Sequence, residues 1–265
     1  MILGPQNTLP TGRVSAFILI ASICLYSCSS PPNKIKIEAL TAMPNKILWA
    51  WERPEDLRFI DPKEIGVAFL AQTVFLEKES VLPKPRRQPL EVATGTYMIA
   101  VTRVETAKGT FVRPTFDTEM RQKLVTQIKS TLELPEVKAI QIDFDATVSE
   151  RAFYRSMMKD LRAQMPEGIT LTMTALASWC ASDTWLADMP VAEAVPMVFQ
   201  MGADSEKIKN YLKNGNDWAE PLCRGSQGIS LEEGRFEGMR SDRRAYFFKN
   251  TPWRPDDLRA ILSSR

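Results

Sequence analysis

From residue 46 onward, short apolar runs alternate with stretches whose apolar residues recur at helical spacing. Residues 46–52 (KILWAWE), 66–76 (GVAFLAQTVFL) and 96–105 (TYMIAVTRVE) are rich in β-branched and aromatic side chains and predict three strands. Pro54 marks a helix-like start for 54–60. Residues 77–95, which carry prolines and arginines, predict no helix. From residue 117 the period changes: Met120, Leu124, Val125, Ile128 and Leu132 share one face of a helix over 117–134. Residues 139–146 give a fourth strand. Ser149 can cap the next helix, whose stripe is Phe153, Tyr154, Met157, Met158 and Leu161. A strand over 169–176, a short helix over 182–189 and a strand over 194–201 follow. A helix over 204–213 turns Ile208, Tyr211 and Leu212 inward and closes at Asn214-Gly215. A weak strand over 228–232, a strand over 245–249 and a helix over 255–262 complete the pattern.

Eight strands, mostly separated by helices, predict a compact (β/α)8 TIM-type barrel with an irregular connection between its second and third strands. A doubly wound sheet usually carries a glycine-rich turn after its first strand, and Glu52-Arg53-Pro54 stands there instead. An internal echo also fits closure: residues 51–58 (WERPEDLR) resemble 253–259 (WRPDDLR), and first and last strands are neighbours in a closed barrel.

One strand departs from ordinary patterning. Residues 139–146 read AIQIDFDA, so alternation places Gln141, Asp143 and Asp145 on one face and Ile140, Ile142 and Phe144 on the other. Two carboxylates and an amide in a row, backed by a purely apolar face, imply that the polar face looks into a cavity. Barrel active sites lie at the C-terminal ends of the strands. The residues expected there are Trp51 and Glu52, Arg103 and Glu105, Thr172 and Thr174, with Trp179 just beyond, Phe199 and Gln200, Glu232 and Glu233, and Trp253.

The chain contains no histidine, which removes histidine-based triads and histidine-ligated zinc. A net charge of +2 gives no electrostatic case for nucleic acid. Acids, amides and tryptophans without histidine are the chemical profile of a carbohydrate cleft. Glycoside hydrolysis needs two carboxyl groups, and sugar rings stack their C–H faces on tryptophan. The expected partner is therefore a polysaccharide or oligosaccharide, bound or hydrolysed, with no cofactor. Asp145 is expected to donate a proton, Asp143 to hold and tune it, and Glu105 or Glu232 to be the second carboxylate. Arg103 would orient an acid or bind an anionic sugar. Gln141, Trp51, Trp179, Gln200 and Trp253 would bind substrate. Two other readings stand beside this one. Asp143 can be a structural acid paired with Arg103, or Asp143, Asp145 and Glu105 can offer oxygen ligands to Mg2+ or Ca2+.

The N-terminus reads as a leader. Arg13 precedes an apolar run over 14–26 that is shorter than the roughly 20 residues of a membrane span and fits a signal-peptide core. Leu25-Tyr26-Ser27-Cys28 resembles a bacterial lipobox, which would make Cys28 the lipidated residue and residues 28–45 a tether to a barrel domain over 46–265. Lipid on Cys28 would hold the protein at a membrane of the cell envelope, and Ser29 directs it towards the outer membrane. Beyond Cys24 and Cys28 there remain Cys180 and Cys223, to be joined by a disulfide or left as two buried thiols.

The fourth strand also resembles the strand-four signature of chitinase-type glycoside hydrolases, in which Asp, Asp and Glu alternate and the Glu is the general acid. Gln141, Asp143 and Asp145 fall on those positions. That family's Met-x-Tyr-Asp of strand six falls on Met197, Val198, Phe199 and Gln200. Gln141, Phe199 and Gln200 depart from the pattern, and the resemblance therefore does not imply a substrate-assisted mechanism. A broader resemblance rests on 53–58 (RPEDLR), 86–90 (RRQPL), 141–146 (QIDFDA), 149–151 (SER), 175–180 (ALASWC) and 195–197 (VPM). Together these are similar to the bacterial family called domain of unknown function 3142. That likeness implies a glycosidase-type barrel in envelope proteins and no established activity.

Overall fold

The computed structural model describes residues 1–4, 40–109 and 111–263. The apolar leader over 14–26, Cys28 and the tether up to residue 39 lie outside the described residues. The chain divides into two units, residues 1–31 and 32–265. Of the first, only residues 1–4 are described, and they form no helix or strand. Among the described residues no helix is long and apolar enough to cross a membrane.

The second unit is built on eleven strands: β1 (Lys46–Ala50), β2 (Glu55–Leu57), β3 (Ile65–Glu77), β4 (Ser80–Pro85), β5 (Leu90–Val92), β6 (Met98–Thr106), β7 (Val137–Asp143), β8 (Thr170–Leu176), β9 (Glu193–Met197), β10 (Ser226–Ser230) and β11 (Arg244–Phe248). The α-helices fully within the described residues are α1 (Thr118–Lys129), α2 (Arg151–Gln164), α3 (Ala177–Ser182), α4 (Ser205–Lys213) and α5 (Asp257–Ser263). Eight strands close into a parallel barrel in the order β1-β3-β6-β7-β8-β9-β10-β11, with β11 pairing back onto β1. This is the (β/α)8 barrel that the alternating pattern predicts.

The two periodicities sort the core. Alternate barrel residues, among them Ile47, Trp49, Ala68, Leu70, Ile99, Val101, Ala139, Val195, Tyr246 and Phe248, fill the interior. Their neighbours in sequence face outward: Ile140, Ile142 and Phe144 pack against α2 residues Phe153, Tyr154, Met157, Met158 and Leu161. Gly228 gives Met197 and Phe248 room inside: a Cβ there would stand 2.9 Å from Met197 Sδ and 3.2 Å from the Phe248 ring, so those side chains would have to shift.

The N-terminal end of the barrel is closed by charge as well as by packing. Glu193 and Arg244 open β9 and β11, and their side chains form a buried ion pair at 2.7 Å. Tyr246 Oη donates to the other Glu193 oxygen at 2.8 Å. Arg244 also donates to the carbonyls of Leu40, Pro44 and Met43 at 2.7, 2.9 and 3.3 Å. Each charged atom of this plug has a partner, as a buried charge requires.

Four expectations are corrected. Residues 54–60 form β2 and a turn, not a helix, because Glu55 is buried, accepting from Arg53 Nε at 2.6 Å and Trp253 N at 3.0 Å, while β2 pairs with β5. The two copies of the echo therefore fold differently, although they meet at the seam. There Arg53 donates to the carbonyls of Lys249, Asn250 and Thr251. The short helix lies at Ala177–Ser182 instead of 182–189, drawn forward by the burial of Trp179 and Cys180. Thr147, not Ser149, forms the capping box, with Glu150. Strand four ends at Asp143, so Asp145 follows the strand at a turn closed by Ala146 N to Phe144 O at 2.8 Å. The connection between the second and third barrel strands is irregular as predicted, and carries β4 and β5 in place of a helix.

Candidate functional site

The polar face of β7 opens at the C-terminal rim beside β6. Arg103 and Asp143 are register partners, and Arg103 Nη1 lies 3.5 Å from Asp143 Oδ2. The same guanidinium donates through Nε to Glu105 Oε1 at 3.0 Å. From β8, Thr174 Oγ1 donates to Asp143 Oδ1 at 2.8 Å. Both Asp143 oxygens are thus held, and the residue is buried. Asp145 projects at the rim, where solvent reaches it. Arg103, Glu105, Lys108, Asp143, Phe144 and Asp145 line a pocket of about 290 Å3.

Three acids, Asp143, Asp145 and Glu105, share the pocket with two cations, Arg103 and Lys108. Burial pushes the Asp143 carboxyl above its ordinary value. The charges of Asp145 and Glu105 push the same way, while Arg103 and the Thr174 hydroxyl oppose. Asp145 is also raised, by partial burial, against the pull of Arg103. Behind them Tyr154 packs its ring on Phe144 and Trp185, with centroids 5.0 and 5.8 Å apart. Its hydroxyl is held protonated by burial and by the two nearby aspartates, and no hydrogen-bond partner for it is found among the described residues. Gln141, two positions deeper on β7, is fully buried with neither amide atom partnered.

The remaining residues named from sequence are dispersed. Trp51 is half-buried on the interior side of the mouth, its ring 5.4 Å from Trp49 and 6.3 Å from Phe248. Gln200 is exposed with a positive φ of 48°, its N–H bound to Glu233 Oε1 at 3.0 Å. Trp179 and Trp253 are buried in the layers outside the barrel: Trp179 packs edge-on to Trp185, and Trp253 donates to the Trp49 carbonyl at 2.9 Å. Glu232 accepts from Asn250 N and Ser230 Oγ, both at 2.8 Å. Burial raises its carboxyl, but those bonds outweigh the effect and hold it below the ordinary value. Of the two candidate second carboxylates, Glu105 therefore shares the pocket with Asp143, and Glu232 is tied to its own loop. Cys180 and Cys223 are joined by a disulfide, with Cα atoms 5.9 Å apart. No group of three or more His, Cys, Asp or Glu suited to a metal ion is found among the described residues.

The chain is similar in structure to the Bacillus cereus spore cortex-lytic enzyme SleL. The TM-score is 0.48 and the identity 16%, over 71% of this chain and 51% of that one, so the match spans about half of that enzyme's length. No protein-family model matches the chain, and no curated protein sequence does.

Thr174, expected at the C-terminal end of strand five, does reach the site through its bond to Asp143, whereas Lys108 and Tyr154 belong to the site's surroundings without any signal in the sequence. Lys108 lies in a loop and Tyr154 in a helical stripe, where no local pattern marks proximity to an acid.

Proposed function

We propose that this barrel acts on a glycan at the β6–β7 rim, with Asp145 as proton donor, Asp143 as the acid that tunes it, and Glu105 as the second carboxylate. The observation that carries this reading is the pair of adjacent carboxyls, both with raised proton affinity, at one open polar pocket on the C-terminal side of a barrel. A carboxyl whose proton affinity is raised can protonate a leaving glycosidic oxygen, and a neighbouring carboxylate can stabilise the cationic sugar that develops. Arg103 keeps Glu105 and Asp143 beside each other without neutralising all three acids. Asp143, clamped by Thr174 and Arg103, is the fixed member, and exposed Asp145 is the one a substrate reaches.

A non-catalytic glycan-binding barrel is the second reading, favoured by one observation: the guanidinium that binds Asp143 also holds Glu105. The test is prolonged incubation of the wild-type chain and Asp145→Asn with glycan strands from bacterial sacculi, chitooligosaccharides and β-glucan oligosaccharides, followed by product analysis. Product from the wild type, lost in the variant, supports hydrolysis. Binding without turnover selects the second reading, and equal turnover by both proteins removes Asp145 from its role.

We further propose that the protein is an envelope lipoprotein anchored through Cys28. The lipobox-like Leu25–Cys28 segment supports this, and the Cys180–Cys223 disulfide suits an oxidising compartment. Incorporation of labelled fatty acid into the wild type and not into Cys28→Ala is the expected result, and equal labelling contradicts it.

A further inference from the structure

The strand β3 outruns the barrel. Its first half pairs with β1, but from Gln72 to Glu77 it pairs instead with antiparallel β4, so a hairpin stands above the rim beside the acid pocket. A bulge between Leu70 and Gln72 reverses which residues face inward. Before it, Ala68 and Leu70 point into the barrel. After it, Gln72 bonds Thr102 and the Gln127 carbonyl on the helix side, and Val74 and Leu76 join the outer core. Thr73 and Phe75 consequently face the cleft.

The register then lines up two rows across the sheet. Leu82, Phe75 and Glu105 are successive partners on β4, β3 and β6. One step closer to the barrel, Lys84 pairs with Thr73, Thr73 with Arg103, and Arg103 with Asp143. The first row ends in a cross-strand apolar pair left open to solvent, Phe75 at 38% and Leu82 at 48% exposure. The second row is hydroxyl and charge throughout. With strands spaced about 4.8 Å apart, the wall from β4 to β7 is roughly 14 Å across.

We propose that the cleft-facing side of this hairpin, centred on Phe75 and Leu82, is a subsite for an oligosaccharide that continues from the acid pocket. The inference rests on the glycan reading above and adds that the preferred ligand is a chain of several sugars. An aromatic face next to an aliphatic one suits the C–H face of a sugar ring, and the adjoining row of Lys84, Thr73 and Arg103 suits its hydroxyls. The patch is one pair wide and continuous with charged groups, too small and too polar at its border for a lipid surface. A peptide adding itself to the free edge of β4 meets Pro83 and Pro85, which lack the N–H groups such pairing needs.

The test measures binding of hexasaccharides and disaccharides of β-linked glucose and N-acetylglucosamine, and of glycan strands from sacculi, to the detergent-solubilised full chain. The wild type is expected to bind at least one hexasaccharide about tenfold more tightly than its disaccharide. Phe75→Ala brings the hexasaccharide down to the disaccharide level, and Phe75→Trp restores the preference. Leu82→Thr, on the exposed edge strand, supplies the same readout if Phe75→Ala lowers the melting temperature. A length preference that survives both Phe75→Ala and Leu82→Thr overturns the subsite alone. Failure of the wild type to bind any of these glycans overturns the subsite together with the glycan reading.

Discussion

The two ends of the barrel interior put similar residues to opposite uses. At the N-terminal end one acid, Glu193, meets Arg244 and Tyr246, and Arg244 fills its other donors with backbone carbonyls. At the C-terminal end Asp143 meets Arg103 and Thr174, yet Glu105 and Asp145 crowd the same guanidinium and the pocket stays open. The first arrangement is saturated and has nothing left to offer a ligand. The second leaves two aspartates, Asp143 and Asp145, with raised proton affinity, and an open rim. An acid inside a barrel is therefore not by itself a sign of function. What distinguishes the C-terminal end is a surplus of acid groups over cations in a pocket that stays open.

Deleting one partner at each end breaks the comparison most sharply. Glu193→Ala strands a buried Arg244 and is expected to cost about 3–5 kcal/mol of stability. Arg103→Ala removes a guanidinium that is 36% exposed and leaves Asp143, which can take up a proton and keeps its bond from Thr174, so it is expected to cost less, about 1–3 kcal/mol. Urea denaturation of both variants checks this, and equal losses would erase the distinction between plug and site.

A smaller effect separates the ends by pH. The folded state binds the Asp143 proton more tightly than the unfolded chain does. The wild type therefore loses stability as pH rises from the ordinary aspartate value through the raised one, and the loss persists above it. Asp143→Asn lacks that loss, so relative to the wild type it should gain stability between acidic and neutral pH. A variant that falls further behind as pH rises would contradict the raised proton affinity. The smallest effect belongs to Gln141, whose amide atoms are buried without partners. Gln141→Leu removes two unmade hydrogen bonds and should be near neutral or slightly stabilising in thermal melts. A loss above about 2 kcal/mol would show that the amide is satisfied in solution.

Much of the barrel was legible in the chain. Strand four could be read because a period of two with one wholly apolar face fits a strand held between a helix layer and a polar cavity, and β7 carries Gln141 and Asp143 inward as that pattern implies. Asp145 could not be placed, since alternation does not say where a strand stops. Glu55 misled because Pro54 favours a helix start, while tertiary bonds from Arg53 and Trp253 hold a strand there. Trp179 and Trp253 follow strands in sequence, but the outer packing that buries them depends on helix geometry that strand order does not reveal. Phe75 was hidden by the bulge at Leu70 and Gln72: continuing the phase of Ala68 and Leu70 would turn Phe75 outward.

The most direct test of the acid-rich site is the pH dependence of product release from oligosaccharides by the wild type and Asp145→Asn, measured side by side. The expected wild-type profile declines on its alkaline side with an apparent pKa above the ordinary aspartate value. Asp145→Asn is expected to be about 100- to 10,000-fold slower and to lack that decline. An Asp145→Asn protein that keeps the wild-type rate and profile would contradict the assignment of the proton donor to this rim.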